Sequence, residues 1–369
     1  MEPDEKFMRF ALELARRGVG KTSPNPMVGA VLVKGGEVIG AGFHEKAGAP
    51  HAEAAALLDA GEKARGAVLY VNLEPCAHYG RTPPCTEAII NAGIKKVVIS
   101  MTDPNPLVCG EGIRRLREAG LEVLSGLLED EARRLNEAFI KYITTGKPFL
   151  MLKAAMTLDG KIAAKSGNSK WISGESSRSF AHELRSISDG VIVGIDTVLQ
   201  DDPLLDVRLE GFYRNPARII ADSRGRLPLE SRIVKTAAGI KTILATTEQA
   251  DKAKLAALES AGVEIIRFPA KNGRVDLQAL IQRLGEMEMS LLLSEGGGSL
   301  NYSFLAENLA DKIHFFIAPK LFGGKDAPTP LQGEGITDPD EAWLVEDIEI
   351  KQFDQDLLIT GYPVKDSGQ

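Results

Sequence analysis

Cysteine is scarce: the chain of 369 residues has three, Cys76, Cys85 and Cys109. So odd and sparse a set excludes a disulfide framework and leaves metal binding or catalysis as the better reading. Long apolar runs are missing too. None approaches the ~20 residues a membrane-spanning helix needs, so no membrane role is expected. The N-terminus, Met1 to Phe10, is acidic and amphipathic and lacks the basic start and apolar core of a secretory signal, which makes the cytoplasm the expected compartment. Positive charge is in deficit, with 44 Lys and Arg against 51 Asp and Glu and a formal net charge of -7. That balance disfavours nucleic acid as a partner, and an anionic substrate must find its positive contacts locally. Internal repeats and low-complexity tracts are absent.

What is present is the composition of a soluble globular protein, 44% hydrophobic and 26% charged, long enough for two domains. Helical spacing at Phe7, Phe10, Ala11, Leu14 and Ala15 is followed by two strands, Met27 to Val33 and Glu37 to Phe43, turning at Gly35-Gly36. A helix is expected from about His51, then a strand at Val68 to Leu73, a helix from Cys85 to Asn91, a strand at Lys96 to Ser100, and a further helix and strand ending near Leu124. One long helix is predicted from Asp130 to Tyr142. It ends at Thr144-Thr145-Gly146-Lys147-Pro148, where Gly and Pro together stop a helix and mark a linker. The expected domains are therefore 1–146 and 147–369. In the second, apolar strands are predicted at Phe149 to Met156, Gly190 to Val193, Arg218 to Ala221, Thr242 to Thr246, Glu264 to Phe268 and Leu291 to Ser294, with a closing hairpin at Ile348 to Phe353 and Leu357 to Thr360. The alternation predicts an α/β protein in both halves.

The order His51-Ala52-Glu53, Pro75-Cys76, Cys85 is the zinc-deaminase signature. One imidazole and two thiolates suit Zn²⁺ and leave its fourth tetrahedral position open for water. Glu53 is not needed as a ligand and is the candidate general acid–base. A closed structural zinc site would offer four ligands, commonly in close Cys-x-x-Cys pairs. Cys109 has no ligand-spaced partner and reads as structural. Eight residues, Ala77 to Pro84, separate the two ligand cysteines. They include His78 and Arg81, suited to a substrate larger and more anionic than a bare nucleobase.

Ser23-Pro24-Asn25-Pro26-Met27-Val28-Gly29, His51-Ala52-Glu53 and the run from Glu74 to Cys85 resemble the bifunctional riboflavin-biosynthesis deaminase-reductases. So do Lys153 to Lys161, Ser169-Lys170-Trp171-Ile172, Asp201-Asp202-Pro203, Glu295-Gly296-Gly297 and Ala318-Pro319-Lys320-Leu321, in the order of that family's reductase domain. The resemblance implies a cytidine-deaminase-like α/β/α sandwich followed by a dihydrofolate-reductase-like α/β domain. It implies deamination of a phosphoribosylaminopyrimidinone, then reduction of the ribosyl group to ribityl with NADPH. Asn25, His44, His78 and Arg81 match positions around the pyrimidine and ribose phosphate. Ala155, Trp171, Thr197, Asp201, Ser223 and Gly297, Gly298, Ser299, Leu300, Asn301, Tyr302 and Ser303 match the cofactor positions, and Ser169, Arg185, Leu205, Arg208 and Glu295 the substrate positions.

From residues alone the second half is less explicit, for it has no Gly-x-Gly-x-x-Gly fingerprint. Its best candidate is Glu295-Gly296-Gly297-Gly298-Ser299, where an apolar strand runs through three glycines into a helix N-terminus that could cradle a pyrophosphate; a tight βα turn explains the same residues. Lys153, in the first strand, is the candidate proton donor or substrate-orienting group. A homo-oligomer is expected. Open alternatives are a nucleoside or tRNA deaminase with an unrelated second domain, and an inactive zinc-stabilised binding module.

Overall fold

The computed structural model describes residues 3–79, 83–105, 108–211 and 214–365. The chain divides into two compact units, Met1–Lys147 and Pro148–Gln369.

The first unit runs α1 (Pro3–Arg16), β1 (Gly29–Lys34), β2 (Glu37–Phe43), α2 (Ala52–Ala60), β3 (Val68–Leu73), α3 (Cys85–Asn91), β4 (Lys96–Met101), α4 (Glu111–Glu118), β5 (Glu122–Ser125), α5 (Glu129–Leu135) and α6 (Glu137–Thr145). Its sheet has the order β2-β1-β3-β4-β5. The β2-β1-β3 part is antiparallel and β3-β4-β5 is parallel. Gly29 shows why small residues recur here: a Cβ added to it would lie 2.1 Å from the Ala11 carbonyl oxygen of α1. Gly42, which pairs with Ala30 and so faces the other way, would meet the Ala56 nitrogen of α2 at 2.6 Å. Alternation along a strand thus puts α1 and α2 on opposite faces, the α/β/α sandwich expected.

Sequence periodicity and structure part at Asn136. In place of one helix over 130–142 there are two, α5 and α6, because Asn136 leaves helical geometry and turns its amide inward. Its Oδ1 accepts from the Met27 N–H at 2.8 Å and its Nδ2 donates to the Met27 carbonyl at 3.0 Å. Hydrophobic spacing carries no trace of such a side-chain recruitment.

The second unit runs β6 (Phe149–Thr157), α7 (Glu175–Ile187), β7 (Gly190–Gly194), α8 (Ile195–Asp201), β8 (Ala217–Ala221), α9 (Arg232–Lys235), β9 (Thr242–Thr246), α10 (Lys252–Ser260), β10 (Glu264–Arg267), a small hairpin of β11 (Ala270–Lys271) and β12 (Arg274–Val275), α11 (Leu277–Glu286), β13 (Leu291–Ser294), α12 (Gly298–Ala306), β14 (Lys312–Ala318), β15 (Trp343–Phe353) and β16 (Asp356–Lys365). The nine-stranded order is β10-β9-β8-β7-β13-β6-β14-β16-β15. Strands β10, β9, β8, β7, β13, β6 and β14 are parallel, and the closing hairpin adds the two antiparallel strands at one edge. Val191, Ile192, Val193, Ile219 and Ile220 are fully buried, as strands covered on both faces require. The hairpin is longer than its apolar core suggested, and β14 is a strand that the sequence reading does not include.

Candidate functional sites

The first site lies where β3 ends. Its C-terminal extension carries Cys76, the first turn of α3 carries Cys85, and His51 caps α2. The imidazole Nδ1 is 3.5 Å from the Cys76 Sγ and 3.3 Å from the Cys85 Sγ, and the three donor atoms lie within 4.8 Å of one another. A tetrahedral ion with bonds of about 2.0–2.3 Å spaces its ligands about 3.5 Å apart, so the donor set and its dimensions fit zinc. The Cys85 thiol donates to Cys76 and holds the Cys76 thiol down to about 4, helped by His51, while the same contact pushes Cys85 far up. The Cys85 N–H also donates to the Cys76 sulfur at 3.3 Å.

Glu53 sits in the first turn of α2, two residues past the imidazole, and is buried. Burial, with the Cys76 charge beside it, pushes its carboxyl up to about 7. Next to His51 stands His44, ring edge to face with centroids 5.7 Å apart. Its Nδ1 faces the Pro50 carbonyl at 3.1 Å and its Nε2 the Asn25 amide nitrogen at 3.2 Å. This network assigns the proton to Nδ1, and burial lowers the ring's pKa, keeping it neutral. His78 is exposed and within reach of the Asp103 charge. Arg81 lies outside the described residues. Cys109 is exposed rather than packed, so it is not the structural residue the sequence suggested. Unlike the two ligand cysteines, it has no place in a core to fill.

The second site gathers residues from far apart in the chain. Strands β8, β7, β13 and β6 are consecutive neighbours and parallel, so their carboxyl ends form one rim. Ser223 follows β8, Thr197 opens α8 after β7, Glu295 and Gly297 follow β13, and Ala155 lies near the end of β6. Such a rim is the usual ligand crevice of an α/β sheet. Lys153 and Ala155 share a face of β6 two residues apart. Lys153 is largely buried, its Nζ 3.8 Å from the Glu295 Oε2 and 5.8 Å from the centre of the Phe316 ring. Burial lowers its pKa, and Arg185 lowers it further.

Glu295 is the hub. Arg185 of α7 grips it with both arms of the guanidinium, Nε to Oε1 and Nη2 to Oε2, the latter at 2.9 Å. Burial alone would raise the Glu295 carboxyl, but Arg185 and Lys153 override it and hold it at about 2. The Arg185 fork is therefore taken by a carboxylate instead of standing open to a phosphate, and its third donor goes to the Asp206 carbonyl at 3.1 Å. Arg208 stays exposed, 3.5 Å from the Asp206 carboxylate. Leu205, with φ +53°, is buried. Ser169 donates to Asp201 at 3.1 Å, joining a substrate and a cofactor position. Trp171 is 63% exposed, with the Arg178 guanidinium 4.6 Å over its ring.

The glycine-rich turn divides its work. A Cβ on Gly297 would meet nothing within 4 Å, so the N-terminus of α12 opens onto free space, as a pyrophosphate cradle for NADPH requires. Gly298 is demanded by packing instead, since its Cβ would lie 2.3 Å from the Thr329 carbonyl oxygen. Further along the helix, Asn301 is buried and accepts from the Ser294 hydroxyl at 2.9 Å, Tyr302 donates to the Gly335 carbonyl at 3.1 Å, and the Ser303 hydroxyl bonds back to Ser299 at 2.8 Å. Leu300 packs over Gly296. Ser223 likewise spends its hydroxyl on the Val275 N–H at 3.0 Å. Sequence reasoning missed His182, one turn before Arg185 on α7, whose Nδ1 accepts from the Arg208 N–H at 3.3 Å. No motif marks it; only the folding of the 205–208 segment against α7 brings it in.

Comparison with known proteins finds a match for each of the two units. Residues 1–101 match the profile of the cytidine and deoxycytidylate deaminase zinc-binding region, and residues 148–359 that of the RibD C-terminal domain. The riboflavin biosynthesis protein RibD of Actinobacillus pleuropneumoniae is 47% identical over 96% of this chain and 94% of its own, and that of Aquifex aeolicus 46% over 97% and 98%. Among solved structures, Acinetobacter baumannii RibD aligns with a TM-score of 0.89 at 41% identity, covering 98% of this chain and 99% of that one. A deaminase/reductase of Thermotoga maritima aligns with a TM-score of 0.86 at 38% identity over the same shares. With two catalytic units matched end to end and in the same order, the chain belongs to the RibD family of riboflavin-biosynthesis deaminase-reductases.

Proposed function

We propose that the first unit hydrolyses the 2-amino group from 2,5-diamino-6-(5-phosphoribosylamino)pyrimidin-4(3H)-one, and that the second reduces the ribosyl group of the resulting 5-amino-6-(5-phosphoribosylamino)uracil to ribityl. The observation that carries this reading is the pairing of three zinc donors with one buried, non-ligating carboxyl. His51, Cys76 and Cys85 would hold the zinc. When bound, the ion supplies the Lewis acidity that makes water a nucleophile near neutral pH. Glu53 accepts the proton that water loses on attacking C2 and hands it to the ring nitrogen, then carries the proton of the new hydroxyl to the departing amino group, so that ammonia leaves and a carbonyl remains. Asn25 and the neutral His44 orient the pyrimidine and His78 takes the ribose phosphate, to which Arg81 is assigned by family resemblance alone.

In the second unit NADPH, when bound, supplies the hydride. The turn at Gly297-Gly298-Ser299 would hold its pyrophosphate, and Ala155, Trp171, Thr197, Asp201, Ser223 and the start of α12 would be its other contacts. Lys153 gives its proton to the nitrogen of the ring-opened sugar imine as C1′ is reduced. Its burial and the nearby Arg185 make that proton easier to release. Glu295 positions Lys153, Ser169 and Leu205 border the substrate, and Arg208 is left as the cation for its phosphate, Arg185 being engaged. Incubating the protein with zinc, NADPH and the diaminopyrimidinone tests the whole sequence. Mass spectrometry is expected to show the uracil and then the ribityl product, and an unchanged substrate refutes the assignment.

A homo-oligomer is part of the same proposal. Strand β15 ends the sheet and leaves Leu344, Ile348 and Ile350 exposed. An apolar sheet edge of this kind favours pairing with another copy. Ile350→Lys is expected to shift the sedimentation coefficient to that of a smaller species, and an unaltered value excludes this edge. The acidic balance supports small anionic metabolites over nucleic acid as partners, and the cytoplasm is the compartment that suits free ligand thiolates.

A further inference from the structure

Glu74 belongs to the Glu74-Pro75-Cys76 motif but has no part in the chemistry above. Its side chain is buried and bonds entirely to backbone far away in sequence. Oε2 accepts from the Asp103 and Gly110 N–H groups, both at 3.0 Å, and Oε1 from the Ile113 N–H at 3.1 Å. Its own N–H donates to the Met101 carbonyl at 2.9 Å, continuing the β3–β4 ladder one residue toward the zinc ligand. We propose that Glu74 is a positioning residue of the deaminase: its carboxylate clamps Asp103 and the start of α4, Gly110 to Ile113, onto the Pro75-Cys76 loop and so fixes one wall of the pyrimidine site.

Three observations give the clamp its direction. Helix α4 has Gly110 at its N-cap, in left-handed geometry and without a side chain; the Glu111 N–H finds the Val108 carbonyl, but the Gly110 and Ile113 N–H groups take their acceptor from Glu74. That acceptor sits two residues before a zinc ligand. Gly112 then brings the same turn so close that a Cβ there would lie 2.1 Å from the Pro75 carbonyl oxygen. Finally, Asp103, whose N–H Glu74 holds, has a half-buried carboxyl within electrostatic reach of His78 and Cys76. One carboxylate therefore ties together the end of β4, the start of α4 and the ligand loop. A helix cap supplied locally would secure α4 alone.

The proposal rests on the deaminase reading, and its test separates the two. Glu74→Ala and Glu74→Gln are made in the full-length zinc-loaded chain. Amide exchange at Asp103, Gly110 and Ile113 is read beside the KM and kcat of diaminopyrimidinone deamination, with zinc content and reductase turnover as controls. Glu74→Ala is expected to lose protection at all three amides and to raise KM about tenfold or more, with kcat, zinc and reduction nearly unchanged. Glu74→Gln keeps one acceptor oxygen, and is expected to restore protection at Asp103 and Gly110 and most of the KM. Gly112→Ala keeps the Glu74 carboxylate but puts a Cβ 2.1 Å from the Pro75 carbonyl oxygen and 3.1 Å from the Glu74 side chain, and is expected to raise KM in the same way. Full protection with normal KM in Glu74→Ala overturns the clamp, and so does joint loss of zinc and kcat in both Glu74 variants. If the unaltered chain does not deaminate this substrate, the functional reading fails while the exchange data still decide the clamp.

Discussion

Replacing Glu295 by Gln removes the one anion shared by Arg185 and Lys153 without changing its shape. The Glu295 carboxyl is held at about 2 against an ordinary 4.5. That depression, ~2.5 units at 1.36 kcal/mol each, corresponds to about 3 kcal/mol favouring the ionised form. Only 9% of the side chain is exposed, so solvent screening takes little of it. Removing one partner of a buried ion pair costs about 3–5 kcal/mol, the same order. Because the folded-state pKa is depressed, this stability is present in full above pH 4.5 and is lost as the pH falls toward 2. By pH 3 about half of it remains. Both tryptophans, Trp171 and Trp343, lie in the second unit, so their fluorescence follows the unfolding of that unit alone. Urea titrations at pH 7 are expected to show Glu295→Gln less stable by about 3 kcal/mol, and at pH 3 by about half as much. A difference below about 1 kcal/mol at pH 7, or one that does not shrink with acid, would show that Glu295 is not the electrostatic hub.

Glu53→Gln is expected to retain zinc and reductase turnover while deamination falls at least ~100-fold, the range for lost acid–base catalysis; normal turnover points to another base. Cys76→Ser and Cys85→Ser are each expected to abolish stoichiometric zinc by elemental analysis, since a hydroxyl is a far poorer ligand than a thiolate; full metal in both refutes the ligand set. Lys153→Ala is expected to abolish reduction of the aminouracil and leave zinc and deamination intact. Loss of both activities in that variant or in Glu53→Gln contradicts two separate sites.

The zinc site was legible because its chemistry is strict and its parts are close in the chain. His51 and Glu53 fall in one turn, Cys76 and Cys85 flank one loop, and few other residue types meet a metal's demands. Strands β3, β7 and β9 were legible for a similar reason, as short apolar runs report burial directly. Beyond the glycine-rich turn after Glu295 and the bare candidacy of Lys153, the reductase site was read through likeness to a family. Lys153, Arg185 and Glu295 are ordinary charged residues, and nothing local distinguishes them from a solvated surface.

Tertiary structure decided what they are, because parallel pairing of β6 and β13 sets residues 142 apart in sequence side by side. It also decided that Arg185 answers to a carboxylate, that Asn136 breaks a helix to hold Met27, and that Glu74 grips a segment some thirty residues away. Arg218 is the plainest case. A residue type that sequence assigns to the surface is fully buried in β8, its guanidinium bonded to the hydroxyls of Thr236 and Thr242 and the carbonyls of Leu204, Ile233 and Ile240. Apolar periodicity records which faces leave water, whereas a buried polar group is set by partners that only the fold brings within 3 Å, and those partners have no fixed spacing in the chain.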